Sequence, residues 1–370
     1  MKKTKLIIKA KSKSYPIYFG SGILSSTGRI LKKSLPNVKK ICIITDNKIP
    51  KIFLKKLVRT LIKYEIKIYK IPSNEKTKSL KVANKIIEKL LKYNFNKTDC
   101  VISFGGGILG DLSAFISNLT KRGLSYVNIP STLLAQVDAS IGGKTGINTN
   151  QGKNLIGTFY QPDFVLSDVS ILKSLPQREI ISGYGEILKH SLILDKKFFL
   201  WLYKNGKEII NSKNKSKLKK AIIKSCKIKN EIVRKDEKEK NLRMILNFGH
   251  TFAHGFEGAK KFSKSLNHGE AVMLGMLMAS KLAYNKKLLP LKDLKQIENH
   301  YKELNLPMRI KKYFQKKDIK KIISFMKKDK KNINEKINLI LIKKIGLVTK
   351  PNAFNISVAE LEKFLIKNFK

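Results

Sequence analysis

The stretch from Cys100 to Asp111 restricts the fold of this chain more than any other. It reads Cys-Val-Ile-Ser-Phe-Gly-Gly-Gly-Ile-Leu-Gly-Asp. A short apolar run passes directly into glycines and then into a helical pattern. Gly105, Gly107 and Gly110 fit G-x-G-x-x-G, a pattern that belongs where a strand feeds a helix. Glycines there leave room for a close backbone approach, and the helix N-terminus presents free N–H groups to an anion such as a pyrophosphate. A plain tight turn between strand and helix would use the same glycines, so the turn alone fixes no ligand. The acidic residue expected about 20 positions further on to hold a ribose is missing. The nearest candidate is Asp46, at the end of an earlier apolar run.

The flanking sequence repeats the same alternation. Residues 40–46 are a buried-strand run ending in Asp46, 51–63 carry helical spacing, 66–71 read as a strand and 80–93 as a helix. Residues 124–129 read as a strand closed by Pro130. Alternating strands and helices predict a parallel sheet. After Leu175-Pro176 helical spacing dominates, over 178–284 and again over 319–325, with a short strand expected within 339–345. The predicted architecture is an α/β N-terminal domain with a parallel, Rossmann-like sheet over residues 1–175, followed by a mostly α-helical C-terminal domain over 176–370. No repeat of 20–50 residues appears.

Composition bounds the function classes. No apolar run approaches the roughly 18 residues of a membrane span, and the apolar part of the N-terminus is too short for a signal peptide. It reads as a first strand. Cys42, Cys100 and Cys226 are widely spaced and odd in number, which suits buried thiols in a reducing cytoplasm rather than a disulfide framework. The formal charge of +50 invites a nucleic-acid reading, but of 77 basic residues only seven are Arg. Bases and phosphates are read largely through the rigid bidentate fork of Arg, and the lysines are spread along the chain rather than grouped. Lys, Ile and Asn share AT-rich codons, so a biased genome accounts for this composition; a GC-rich source would contradict that. The expectation is an anionic small-molecule substrate, with no dedicated nucleic-acid partner and no membrane partner.

Three of the five histidines fall within a short span: His250, His254 and His268. On a helix, His250 and His254 share a face. Imidazoles so placed suit one divalent ion, with His268 and a carboxylate completing a distorted tetrahedral set. Spacing favours His250 with His254 and leaves the carboxylate open among Glu257, Glu270 and a more distant group. His190 and His300 are read as structural.

These segments together resemble one family. Residues 105–111, the block 121–157 (KRGLSYVNIPSTLLAQVDASIGGKTGINTNQGKNLIG), residues 236–257 (DEKEKNLRMILNFGHTFAHGFE), residues 268–272 and residues 329–331 are similar to the signatures of 3-dehydroquinate synthases. Related polyol dehydrogenases share the fold but lack the block 131–157. The resemblance implies an NAD-binding first domain using Asp46, Glu75, Lys78, Gly105, Gly106, Gly107, Gly110, Asp111, Ser131, Thr132, Asp138, Lys144, Lys153 and Ser174. It implies a metal, Zn or Co, on Glu186, His250 and His268, with His254 turned toward substrate instead. Lys144, Lys189, Arg243, Asn247 and His254 would act in catalysis. Arg122, Lys153, Asn154, Lys229 and Lys330 or Lys331 would hold substrate. The site would thus draw on both halves of the chain, and a homodimer is implied. Departures are Asn74 for a usual Gly, Ser131 for a Thr with the same hydroxyl, and Gly255-Phe256 after His254; none removes a charged group.

The implied reaction explains the residue types. Its substrate is a seven-carbon keto acid phosphate with about three negative charges, which calls for converging Lys and Arg donors. A transient oxidation by NAD, loss of phosphate, return of the hydride, ring opening and aldol closure would leave no net redox change. The substrate's own phosphate can serve as base, with His254 and Lys189 assisting. An inosose synthase would keep the NAD and metal sites but alter the carboxylate-holding groups. A polyol dehydrogenase would release NADH. Arg243 and Lys229 favour the first reading.

Overall fold

The computed structural model describes residues 3–211, 214–327 and 336–369. Its contacts divide it into two compact units. The first comprises Met1–Pro176 with Ser212–Lys238, and the second Gln177–Asn211 with Glu239–Lys370. The units interleave in sequence, so a single cut near residue 175 misses the return of Ser212–Lys238 to the first.

The first unit is built on a seven-stranded sheet, which bears out the α/β reading. Its strands are β1 (Thr4–Lys9), β2 (Ser14–Gly20), β3 (Lys40–Thr45), β4 (Glu65–Lys70), β5 (Cys100–Gly105) and β6 (Ser125–Pro130). After a small hairpin of β7 (Ile147–Thr149) and β8 (Gly152–Ile156) comes the seventh, β9 (Phe164–Asp168). The order is β1-β2-β9-β6-β5-β3-β4. All neighbours are parallel except β1 and β2.

The apolar runs without helical period become the central strands, because a parallel strand covered on both faces needs apolar groups at every position. In β3, Ile41 and Ile43 pack in the same layer as Leu31, Leu57 and Phe104, while Cys42 and Ile44 pack in the opposite layer with Ile86, Leu90 and Leu112. Helices α1 (Thr27–Ser34), α2 (Lys51–Arg59), α3 (Leu80–Lys92) and α4 (Gly107–Leu119) supply these layers. At the outer edges, β1 exposes Lys5 and Lys9 and β4 exposes Glu65 and Lys70, alongside exposed Ile7 and Ile68; the charges discourage pairing with another chain. Cys42, Cys100 and Cys226 are free and buried, and burial raises all three thiols.

The second unit is helical: α5 (Gln177–Leu194), α6 (Lys196–Ile210), α8 (His250–Ala259), α9 (His268–Asn285), α10 (Leu291–Glu303), α11 (Ile319–Lys327) and α12 (Val358–Lys367). The intervening α7 (Lys215–Lys235) belongs to the first unit. The strand expected within 339–345 is a short one at Ile342–Lys344, paired with Leu347–Val348 across Gly346. Among the described residues no helix is long and apolar enough to cross a membrane.

His300 lies fully buried in α10, with Nε2 2.8 Å from the Tyr184 hydroxyl and its ring against Phe199 and Tyr203. Burial pushes its imidazole down to about 4. The folded state therefore keeps it neutral while the unfolded chain, near 6.5, takes up a proton as pH falls. This residue should cost about 2 kcal/mol of stability between pH 7 and pH 5. Denaturant unfolding at both pH values should show that loss shrinking in His300→Asn. An identical pH dependence in wild type and variant would contradict it.

Candidate functional site

The carboxyl ends of the parallel strands gather the residues expected at a nucleotide. Thr45 is in register with Phe104, and Gly105 with Pro130. Asp46, the glycine turn, Ser131 and Thr132 therefore follow three adjacent strands at one edge. From β3 the chain moves to β4 on one side and then returns to β5 on the other, so the strand order reverses between β3 and β5. Open α/β sheets bind ligands in the crevice at such a switch point.

The glycines act there by leaving space. Gly105, Gly106, Gly107 and Gly110 all have ordinary negative φ, outside the left-handed region. A Cβ on Gly106 would meet Thr132 Cγ2 at 3.3 Å, and one on Gly107 would meet Ala139 at 3.2 Å. The turn is thus pressed against the segment after β6, with the N-terminus of α4 following it. The Ser131 N–H donates to the Gly105 carbonyl at 2.8 Å. Thr132 Oγ1 accepts from the Ala135 N–H at 3.1 Å, which starts the π-helical turn Ala135–Ala139 containing Asp138. Lys229, from α7, donates to Asp138 Oδ1 at 2.6 Å and to its carbonyl at 2.8 Å. With Asn230 bonded to Lys9 and Ile7 and Cys226 to Gln136, this contact ties α7 to the first unit.

A second polar group forms beside it. Lys78, buried, donates to Asp111 Oδ2 and to Asn154 Oδ1, each at 2.5 Å. Lys153 pairs with Glu75 at 2.8 Å, and Asn148 donates to the same carboxylate at 2.7 Å. Burial alone would raise Glu75, but the Lys153 ammonium and the Asn148 amide outweigh it and hold the carboxyl below its usual range. For Asp111 burial wins despite Lys78, and the carboxyl is raised. Asn148 was not singled out from sequence; its signal was only its place inside the 121–157 block. Asn154 sits at φ 55, and its N–H donates to Asn148 Oδ1 at 3.1 Å.

Other expected residues are placed more simply. Asp46 accepts from the Lys48 N–H at 2.9 Å. Arg122 is exposed at φ 60 after the turn Thr120–Arg122, and Lys144 is exposed and bridged to Phe159. The Ser174 hydroxyl donates to the Ile171 carbonyl at 2.8 Å, capping its own turn. Lys330 and Lys331 lie outside the described residues.

In the second unit three helices bring Glu186 from α5, His250 from α8 and His268 from α9 together. One ligand atom from each lies within 4.8 Å of the others. Glycines at the crossings make this approach possible. Gly249, which precedes His250, has φ 80, and a Cβ there would meet the Met276 backbone nitrogen at 2.7 Å. A Cβ on Gly275 would lie 2.1 Å from the Gly249 carbonyl oxygen, and one on Gly269 would lie 2.3 Å from Ser182 Cα. So α9 touches α8 at Gly275 and α5 at Gly269. The first turn of α9 is fixed by a capping box between Asn267 and Glu270. Arg178 forks onto Glu270 and onto the carbonyls of Lys264 and Ser265.

The donor set fits a divalent cation. Glu186 is 1 % exposed, and among the described residues neither carboxylate oxygen finds a hydrogen bond. Lys189, one turn on in α5, forms an ion pair with Glu186, and His250 and His268 face it. A buried carboxylate in that state is costly unless a cation is near. His250 Nε2 faces Glu186 Oε1 at 3.7 Å, close to the roughly 3.4 Å separating two ligands each about 2.1 Å from a tetrahedral ion. The distant carboxylate is thus the one brought to His250 and His268. Of the alternatives left open by spacing, Glu270 caps α9 and Glu257 lies against His268 Nδ1 at 3.1 Å. The pairing of His250 with His254 suggested by spacing is not the one found: His254 is exposed, its ring 5.9 Å from that of His250. Arg243 is buried in the turn Leu242–Asn247, and Asn247 donates to Glu239 at 2.8 Å.

Known proteins align with this arrangement. Residues 68–182 match the family described as 3-dehydroquinate synthase N-terminal, and residues 183–332 the one described as 3-dehydroquinate synthase C-terminal. A 3-dehydroquinate synthase of Pelagibacter ubique is 50% identical over 342 residues, 92% of this chain and 93% of that protein. A crystal structure of 2-deoxy-scyllo-inosose synthase complexed with carbaglucose-6-phosphate, NAD+ and Co2+ superposes with a TM-score of 0.88 at 23% identity, covering 99% of this chain and 100% of that one. A 2-epi-5-epi-valiolone synthase from Streptomyces hygroscopicus with NAD+ and Zn2+ gives 0.83 at 24% identity, covering 96% and 97%. At these identities the two structures speak for the fold.

The glycine crossing yields a prediction. Gly275→Ala drives a methyl into a backbone carbonyl and should destabilise the protein by about 3 kcal/mol. Gly152→Ala meets nothing nearer than Leu155 at 3.4 Å and should stay within about 0.5 kcal/mol of wild type. Thermal unfolding of the two variants compares them; equal melting temperatures would contradict the close approach.

Proposed function

The chain belongs to the 3-dehydroquinate synthase family, and on that premise we propose that it converts 3-deoxy-D-arabino-heptulosonate 7-phosphate to 3-dehydroquinate and phosphate. It would do so as a carbon–oxygen lyase of the shikimate pathway, in the cytoplasm. The observation that carries the reading is the Glu186–His250–His268 group: a buried carboxylate, balanced within its own helix by Lys189, beside two imidazoles. When bound, NAD supplies a reversible hydride acceptor and the divalent ion, Zn²⁺ or Co²⁺, a Lewis acid. The conversion loses phosphate and closes a ring with no net redox change.

The chain's own residues do the rest. Glu186, His250 and His268 hold the metal. Asp46, the 105–111 turn, Ser131, Thr132 and Asp138 line the NAD site, with Glu75 and Lys78 in the adjoining network. Ser174, which caps its own turn, has less to offer the cofactor. Cationic and amide donors suited to an anion with carboxylate and phosphate ends are offered in the second unit by Arg243 and Asn247 and, separately, in the first by Lys229, Lys144, Lys153, Asn154 and Arg122. Lys229, Lys78 and Lys153 are engaged with carboxylates, so they are held in place rather than spread through solvent. Lys189 is held against Glu186, and His254, exposed beside His250, is the candidate to assist a substrate proton transfer. A homodimer accords with the family.

Phosphate release from this heptulosonate phosphate should require divalent metal, stop with EDTA, and proceed with catalytic NAD while no NADH accumulates. Stoichiometric NADH would indicate a polyol dehydrogenase, and release only from other sugar phosphates a different cyclase. His250→Ala should lose tightly bound metal and turnover; stoichiometric metal with full turnover would refute its role. Arg243→Ala should weaken substrate binding by about 10–100-fold and NAD binding far less, as read by equilibrium binding of each; equal losses would count against a substrate role.

A further inference from the structure

Glu257 lies two helical turns after His250 on α8, so both project from one face. It is nearly buried, at 7 % exposure. Its Oε2 stands 3.1 Å from His268 Nδ1. His268 is the first residue of α9, and about a third of its side chain remains exposed (36%). Packing alone therefore does not fix the rotation of the ring about its Cβ–Cγ bond.

A carboxylate only accepts, so the imidazole donates: Nδ1 carries the hydrogen and Nε2 keeps its lone pair. That tautomer leaves Nε2 as the ligand atom. Carboxylates placed behind metal-bound imidazoles fix the tautomer and raise the basicity of the ligating nitrogen. We propose that Glu257 is a positioning residue for the metal centre, setting the tautomer and ring orientation of His268 from behind while Glu186 and His250 face the ion. The inference rests on the reading that Glu186, His250 and His268 hold a divalent ion. It adds to that reading a residue that touches neither substrate nor metal, yet sets metal affinity. The same contact also ties the end of α8 to the start of α9, so a purely structural role must be separated from a role at the metal.

The test uses the full chain stripped of metal, with Zn²⁺ titrated against a chromophoric chelator, in wild type, Glu257→Ala and Glu257→Gln. Thermal unfolding of each metal-free protein is measured in parallel. Glu257→Ala should bind Zn²⁺ about 10–100-fold more weakly than wild type. Glu257→Gln should fall between, since its amide oxygen still accepts from Nδ1 but carries no charge. The visible spectrum of the Co²⁺-loaded protein should shift in the same order. Affinities within twofold of wild type in a folded Glu257→Ala would overturn the proposal, as would a loss of metal-free stability with affinity unchanged. Should Glu257→Ala fail to fold, the isosteric Glu257→Gln decides: several-fold weaker binding upholds the role, and wild-type affinity overturns it. A wild-type chain that takes up no Zn²⁺ would instead sink the ligand set on which the inference stands.

Discussion

A carboxylate removed from water is the constraint from which the second unit is best understood. Glu186 is buried in α5, with Lys189 one turn away and His250 opposite. Such a group costs several kcal/mol unless positive charge is brought to it, and a divalent ion answers that demand more fully than one lysine. The helices cannot supply the ligands from a distance, since the ligand atoms must come within a few ångströms of one another. Gly249, Gly269 and Gly275 let α5, α8 and α9 approach with almost no side chain between them. These positions thus set the spacing of the candidate ligands, although none of the three carries a functional group.

The first unit works by a different physical device. At its ligand edge strand ends and helix N-termini already present oriented N–H groups, and the buried charges there, Lys78 and Lys229, are paired with carboxylates. The polar side chains around that edge are paired with each other: Lys78 with Asp111, Lys153 with Glu75, Lys229 with Asp138. These pairs hold long, flexible lysines in defined places in a chain where most lysines are solvated. They also show why a charge of +50 says little by itself: a few lysines are fixed by carboxylate partners at strand ends or in the hairpin that follows, while most lie on the surface.

Much of this was legible in the sequence, for identifiable reasons. Runs such as residues 40–45 and 100–105 have no helical period and are buried on both faces, so their strand character was plain. The glycine turn was legible as a turn, but its mechanism was not. All its glycines have negative φ, and their role is to leave room for Thr132 and Ala139, which no local pattern reveals. The return of α7 to the first unit was hidden because it rests on contacts distant in sequence, such as Lys229 with Asp138, 91 residues apart, and Asn230 with Ile7 and Lys9. Spacing pointed to His250 and His254 together with His268, whereas the fold groups His250 and His268 with Glu186, since a helical i, i+4 pair shares a face without having to share a ligand. Only the family resemblance placed Glu186. Glu257 was visible merely as a possible ligand; its place behind His268 is a matter of three-dimensional packing.

The central claim is that Glu186, His250 and His268 form one mixed oxygen–nitrogen metal site. X-ray absorption at the metal edge of the Zn²⁺- or Co²⁺-loaded protein tests it most directly. The account predicts a first shell of nitrogen and oxygen at about 2.0–2.1 Å with the outer-shell scattering of two imidazoles, reduced to one imidazole in His268→Ala. A sulfur shell near 2.3 Å, or an all-oxygen shell without imidazole scattering, would contradict it.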